Sequence, residues 1–254
     1  MLLIVNADDF GYTPAVSRGI VRAVREGVVT SVSLLVNMPG TQAALAAVRS
    51  GIPAGVGVHL CLTRGRPLSE PRYIPSLVSS NGEFAGRDRL LQGSPNAGEV
   101  EREFYAQVAY VQSAGVHVTH LDTHHHIHRH PVILSALIRV ARALKLPVRS
   151  LDEQMRGLLT QKGIRTPDYF CGEWFAEGVS LANFKACVKK GLERGARVME
   201  LMTHPGEVDD ELAPRSGYTV EREKELAILC DPGLRQWLAE TGVRLGTYAD
   251  VTRT

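Results

Sequence analysis

LLIVNADDFG, residues 2–11, runs from an apolar segment through Asn6 and Ala7 into two adjacent carboxylates, Asp8 and Asp9, and then a glycine. Short apolar runs bounded by turn signals read as buried parallel strands. The pattern recurs four times. VGV leads into His59, VTHLDT into His124, His125, His126 and His128, LPV into Arg149, and VMELMT into His204. In (β/α) barrels and open α/β sheets, chemistry collects at the carboxyl ends of such strands. One coincidence would mean little; five point to an enzyme, and the residue types point to metal-assisted hydrolysis.

Helical patterns alternate with these runs. After a strand at 2–6, Val16, Ile20, Val21 and Val24 recur at helical spacing over 14–26, with Thr13 and Pro14 forming a cap and first-turn pair. SVSLLVNM, AGVGVHL, HVTHLD, LPVRS, RVMELMTH and VRLGTYADV read as further strands. Helices are expected at 41–50, 98–113, from 131 onward, around 179–194 and over 219–240. This alternation predicts an α/β fold of mostly parallel strands with helices outside. With no break in composition, residues 1–254 read as a single closed or nearly closed (β/α) barrel. Two stretches, 63–96 and 152–178, read as long loops over the catalytic face. The second carries Tyr169, Phe170, Trp174 and Phe175, which suit either stacking on a sugar ring or packing the loop down.

Bulk properties exclude several classes. A formal charge of +2, from 29 basic and 27 acidic residues, makes no electrostatic case for nucleic acid or an anionic membrane. Four scattered cysteines without a CxxC pair argue against a thiolate zinc site and a disulfide scaffold. The apolar N-terminus lacks a basic flank and a cleavage site, and no stretch approaches a membrane span, so a cytoplasmic protein is expected.

The run HLDTHHHIHRHP, residues 120–131, is the densest signal. Neutral imidazole is the commonest nitrogen ligand for divalent metals. Strand alternation would put Asp122, His124 and His126 on one side, whereas a helical start would pair His124 with His128. The remaining histidines would orient the ligands or lie at the surface, with His117 and His130 structural. Asp8 and Asp9 should point to opposite sides of an extended strand, so one would bind metal and the other act as base. His59 ends a strand too apolar for the surface, and His204 turns at a Pro-Gly as a candidate proton donor. Arg149 and Arg64 suit either substrate hydroxyls or ion pairs. One Asp and two His leave coordination positions open, the arrangement of metal-assisted amide or ester hydrolysis.

NADDFG, GVHLCLT, HLDTHHHIH and HPGE occur in that order between residue 1 and about residue 207. Together they resemble the motifs of the YdjC-like carbohydrate deacetylases, a family that includes the chitooligosaccharide deacetylases. The resemblance implies a distorted (β/α) TIM-like barrel related to the polysaccharide deacetylases, hydrolysis of acetyl groups on N-acetylated oligosaccharides, a divalent metal usually assigned as Mg2+, and a homodimer. By motif position it implies Asp8 as base, Asp9, His59 and His124 as metal ligands, and His204 as acid. Asp122, His126, His128 and Arg149 would contact substrate or support the ligands. Two histidines with one carboxylate also suit Zn2+ or another transition metal. The alternatives are another metal-dependent amidohydrolase or phosphoesterase on a similar barrel, and a non-catalytic histidine-rich metal store. The first usually places an HxH pair where this chain has Asp-Asp.

Overall fold

A computed structural model of the protein describes residues 1–251. In chain order the elements are β1 (Leu2–Phe10), α1 (Pro14–Arg25), β2 (Ser31–Leu34), α2 (Thr41–Arg49), β3 (Gly55–Leu60), α3 (Arg87–Gln92), α4 (Ala97–Ser113) and β4 (Val118–Thr123). They continue as α5 (Pro131–Leu144), α6 (Glu153–Gln161), β5 (Tyr169–Cys171), α7 (Leu181–Glu193), β6 (Val198–Thr203), α8 (Val220–Leu229), α9 (Pro232–Glu240) and β7 (Arg244–Leu245). Among the described residues these strands pair in parallel, in the order β4-β3-β2-β1-β6-β5, with β7 also on β1. Val148 extends the sheet past β4 by a single bridge to Leu121. Among the described residues no strand pairing joins Val148 to β5, so the barrel is distorted and open there.

β1 is the axis of the sheet, with all nine residues buried. Leu3 and Val5 pack into the main core, and Leu2 and Ile4 into a smaller cluster with Tyr248 and Val251. Each such side chain contributes roughly 1.5–3 kcal/mol through burial. The helices start where the sequence offers caps. Thr13 Oγ1 accepts from Val16 N at 3.1 Å ahead of Pro14, and Asn96, Asp152, Ser180 and Asp231 cap α4, α6, α7 and α9.

Four sequence expectations need correction. β1 runs to Phe10 rather than stopping at residue 6, because buried partners neutralise its two carboxylates. LPVRS makes one bridge instead of a strand. VRLGTYADV supplies only Arg244–Leu245 before Thr247 caps a short 3-10 turn at Tyr248–Asp250. The helix expected over 219–240 is two, since Asp231 and Pro232 start α9 afresh. Within 152–178 the chain forms α6 and β5, and within 63–96 a 3-10 turn at Pro71–Tyr73 and α3. Period-2 alternation is absent from the three-residue β5, which leaves no strand signal to read.

Candidate active site

The carboxyl ends of β1, β3, β4 and β6 converge on a cavity of about 280 Å³. Asp8, Asp9, His59, His124, His126 and His204 all line it. Asp8 and Asp9 do not alternate as an extended strand requires. The β1–β2 register slips between Ala7 and Phe10, and Asp9 takes φ 65°. This bulge with a left-handed residue re-aims the second side chain, so both carboxylates face the cavity. Gly11 follows with φ 98°, and a Cβ there would lie 2.7 Å from Leu35 O, so only glycine makes this turn.

Asp9 forms the open part of the cluster. Its Oδ2 accepts from Arg222 Nη2 at 2.6 Å. Its Oδ1 lies 3.1 Å from His124 Nδ1 and 3.6 Å from His59 Nε2, yet has no hydrogen-bond partner among the described residues. His124 Nε2 is likewise buried and unpartnered. Donor atoms of Asp9, His59 and His124 all lie within 4.8 Å of one another. His59 Nδ1 bonds Asp122 Oδ1 at 2.8 Å; a carboxylate can only accept, so Nδ1 carries a proton, and Nε2, 3.6 Å from Asp9 Oδ1, would offer its lone pair to a metal on losing its own proton. One carboxylate and two imidazoles, with Asp9 Oδ1 and His124 Nε2 unpartnered, fit a divalent cation. The charge balance agrees. Asp8, Asp9, Asp122 and Glu200 are buried against two guanidiniums, Arg149 and Arg222.

Behind this opening lies a closed network around Arg149. The guanidinium donates to both oxygens of Asp8 at 2.7 Å and to Glu200 Oε1 at 2.7 Å, and pairs with Asp122 Oδ2 at 2.9 Å. Asn6 Nδ2 donates to Asp8 Oδ1 at 2.7 Å and to Ser33 Oγ at 2.8 Å, and Ser33 Oγ donates to Asp122 at 2.8 Å. Asp8, His59 and Asp122 also lie within ligand distance of one another, but Arg149 already supplies the cation there. Arg149 is fully buried and does not line the cavity, so it supports Asp8 from behind.

The electrostatics follow from burial and these partners. Burial pulls the His59 imidazolium down, but Asp122, Asp8 and Asp9 outweigh it and push the pKa up to about 9. Burial raises Asp9, but Arg222 and His124 hold it well below the usual carboxylate range. Asp122 is lowered in the same way, against burial, by Arg149 and His59. Burial pulls His204 down to about 4 despite Asp9 and Asp8, so it is neutral near pH 7.

The histidine run divides by geometry. β4 ends at Thr123, and the chain coils through His124–Arg129 with His125 and His126 in left-handed backbone, φ 59° and 52°. The expected grouping of Asp122, His124 and His126 on one side is therefore replaced. Asp122 points into the Arg149 network, His124 to Asp9, and His126 into the cavity wall with Nδ1 unpartnered among the described residues. His128 is buried away from the cavity with Nδ1 2.5 Å from Thr123 Oγ1, so it does not pair with His124 on a helix face. His120 is also internal, stacked on Tyr248 at 3.8 Å, and a Cβ on Gly57 would lie 2.3 Å from its ring.

Sequence reading missed Arg222, Glu225, Tyr218 and Glu200. Glu200 and Glu225 are fully buried, and Glu200, a charge inside the apolar run VMELMT, was the one legible hint. Arg222 and Glu225 come from α8, one turn apart. Glu225 accepts His204 N at 2.5 Å and the Tyr218 hydroxyl, and Arg222 Nε donates to Tyr218 O at 3.1 Å. Of the two irregular stretches, the first contributes Arg64 to the cavity and the second Gly172 and Phe175.

A parallel α/β barrel with a carboxylate–histidine cluster at its strand ends defines the class. The particular family follows from comparison: residues 2–240 match the model of the YdjC-like proteins, and the chain belongs to that family. It is 39% identical over 249 residues to a carbohydrate deacetylase of Geobacillus stearothermophilus, covering 97% of this chain and 96% of that one. It is 36% identical over 255 residues to a chitooligosaccharide deacetylase of Proteus mirabilis, covering 98% of each. Among solved structures, an Enterococcus faecalis protein named for cellobiose-phosphate cleavage superposes with a TM-score of 0.93 at 32% identity, covering 98% of each chain. Among the described residues, no helix is long and apolar enough to cross a membrane.

Proposed function

We propose that this protein removes acetyl groups from N-acetylated oligosaccharides by hydrolysis. The observation that carries the reading is the convergence of Asp9, His59 and His124, with Asp9 Oδ1 and His124 Nε2 unpartnered, beside Asp8 in one cavity. The family relationship supports the substrate class.

Asp9, His59 and His124 would hold a divalent cation, whose Lewis acidity would act on the acetyl carbonyl and on the attacking water. Ligand softness favours zinc, cobalt or manganese over the magnesium that the resemblance implies. Asp8, its orientation fixed by Arg149 and Asn6, takes the proton from that water. His204 is neutral in the free protein, so its role as acid requires uptake of a proton during turnover and delivery to the departing nitrogen. The products are acetate and the free amine. The four unpaired cysteines fit the reducing interior of a cell, where we place the protein.

The test is acetate release from N,N′-diacetylchitobiose by chelator-stripped protein with single divalent metals restored. Metal-dependent release in the wild type, lost by about 10²–10⁴-fold in Asp8→Asn with metal still bound, is the expected result. Full activity in that variant would remove Asp8 as base. Turnover of phosphate esters in place of acetyl sugars would overturn the reaction class.

A further inference from the structure

Phe175 contrasts with the loop that carries it. Between β5 and α7, Trp174 is fully buried, donates from Nε1 to Ser180 O at 2.8 Å and meets Phe184 edge-on at 5.3 Å. Glu173 pairs with Lys190 at 2.7 Å, and Asn183 Nδ2 donates to Gly178 O at 3.0 Å. Ala176 takes φ 53°, a left-handed conformation that a non-glycine residue holds only when its surroundings fix it. The loop is therefore built to a set shape, and that shape leaves Phe175 41% exposed at the cavity wall.

The second half of the wall is fixed as firmly. The Tyr218 ring lies 4.4 Å from that of Phe175 and within 3° of parallel. Its hydroxyl accepts from Ala176 N at 3.2 Å and donates to Glu225. Both rings stand against His204, at 5.2 and 5.6 Å between centroids. A preformed aromatic surface thus borders the imidazole nearest the proposed proton delivery, in the same cavity as the carboxylates and histidines.

Resting on the deacetylase reading, we propose that the Phe175–Tyr218 wall is a stacking platform for a pyranose ring, with Phe175 the specificity-determining residue. A pyranose with equatorial substituents gathers axial C–H groups on its faces, and these pack on the electron-rich face of an aromatic ring. The polar floor would orient the acetamido group while the wall holds the apolar side of the sugar, the usual division of labour in a ligand pocket. Tyr218 is committed to Ala176 and Glu225, so Phe175 is the member whose replacement leaves the rest of the wall in place.

The experiment measures KM for N,N′-diacetylchitobiose by acetate release from metal-loaded wild type and from Phe175→Ala, Phe175→Leu and Phe175→Trp. Exposure of the site keeps all three variants folded. The Ala and Leu variants should each raise KM by about tenfold, and Trp should restore it. In the Trp variant, adding the disaccharide should also shift the indole emission, a readout independent of turnover. A Leu variant with wild-type KM would overturn stacking, because Leu keeps apolar bulk without a π face. If the wild type neither binds nor deacetylates the disaccharide, the deacetylase reading falls and the platform with it. If the wild type is active and Phe175→Ala is unaffected, the platform alone falls.

Discussion

Two halves of the polar cluster at the strand ends use the same residue types and are finished differently. Around Asp8, Asp122 and Glu200 the cation is Arg149, which bonds or ion-pairs with the oxygens it faces at 2.7–2.9 Å. Around Asp9, Arg222 satisfies one oxygen, while the other faces two imidazoles without a hydrogen bond. Neighbouring residues of one strand thus end in a saturated ion network, which fixes Asp8 at the cavity, and an open ligand set. The orphaned atoms, rather than the charges, distinguish a place to bind something from a place to support it.

The sharpest break of this comparison is His124→Ala. It removes a donor from the open half and leaves the Arg149 network intact. Acetate release should fall roughly a thousandfold, about 4 kcal/mol of barrier, and elemental analysis should find less than one metal ion per chain. Retained metal and activity would show that the open half is not the ligand set. Arg149→Met breaks the other half. It strands three buried carboxylates, so urea unfolding should show a loss of about 3–5 kcal/mol. A variant of unchanged stability would mean that the network is not closed as described.

Asp122→Asn probes the join between the halves, because Asp122 touches both Arg149 and His59. An amide can present its NH2 to His59 and turn the tautomer around. Metal affinity should weaken by about 10–100-fold, read by competition with a chelator. Equal affinity in the two proteins would detach His59 from its proposed orientation.

The chain declared the strand ends but not their finishing. Hydrophobic runs closing on Asp, His and Arg placed β1, β3, β4 and β6, and with them Asp8, Asp9, His59, His124 and His204 around one cavity. Alternation then misdirected the local geometry, because a bulge at Asp9 and two left-handed histidines break the period on which it rests. Arg222 and Glu225 were invisible for another reason. They lie on α8, which opens Val-Glu-Arg-Glu-Lys-Glu and reads as a solvated face, and only tertiary packing turns two of its charges inward. β5 was too short to carry a pattern, and its neighbour Phe175 gave no sign that it would stay at the surface while Trp174 went in.

The smallest expected effect compares Glu225 with the open half through pH. Burial pushes the Glu225 carboxyl up to about 8, against an ordinary 4.5, although Tyr218 and the His204 amide pull it down. A raised folded pKa means that the native state holds the proton more tightly. The stabilisation is then full below pH 4.5 and is lost as pH rises through 8. Between pH 7 and 8 it amounts to a loss of about 1 kcal/mol. His59, raised to about 9 in the metal-free protein, gives a slope of the same sign, full below its ordinary 6.5 and lost through 9. Bound metal would require His59 unprotonated and would abolish that contribution. Unfolding of metal-loaded wild type and Glu225→Gln from pH 7 to 8 therefore separates the two. The wild type should lose about 1 kcal/mol more than the variant, and without metal both should gain an added slope. Identical slopes with and without metal would place the proton of His59, and the ligand set with it, elsewhere.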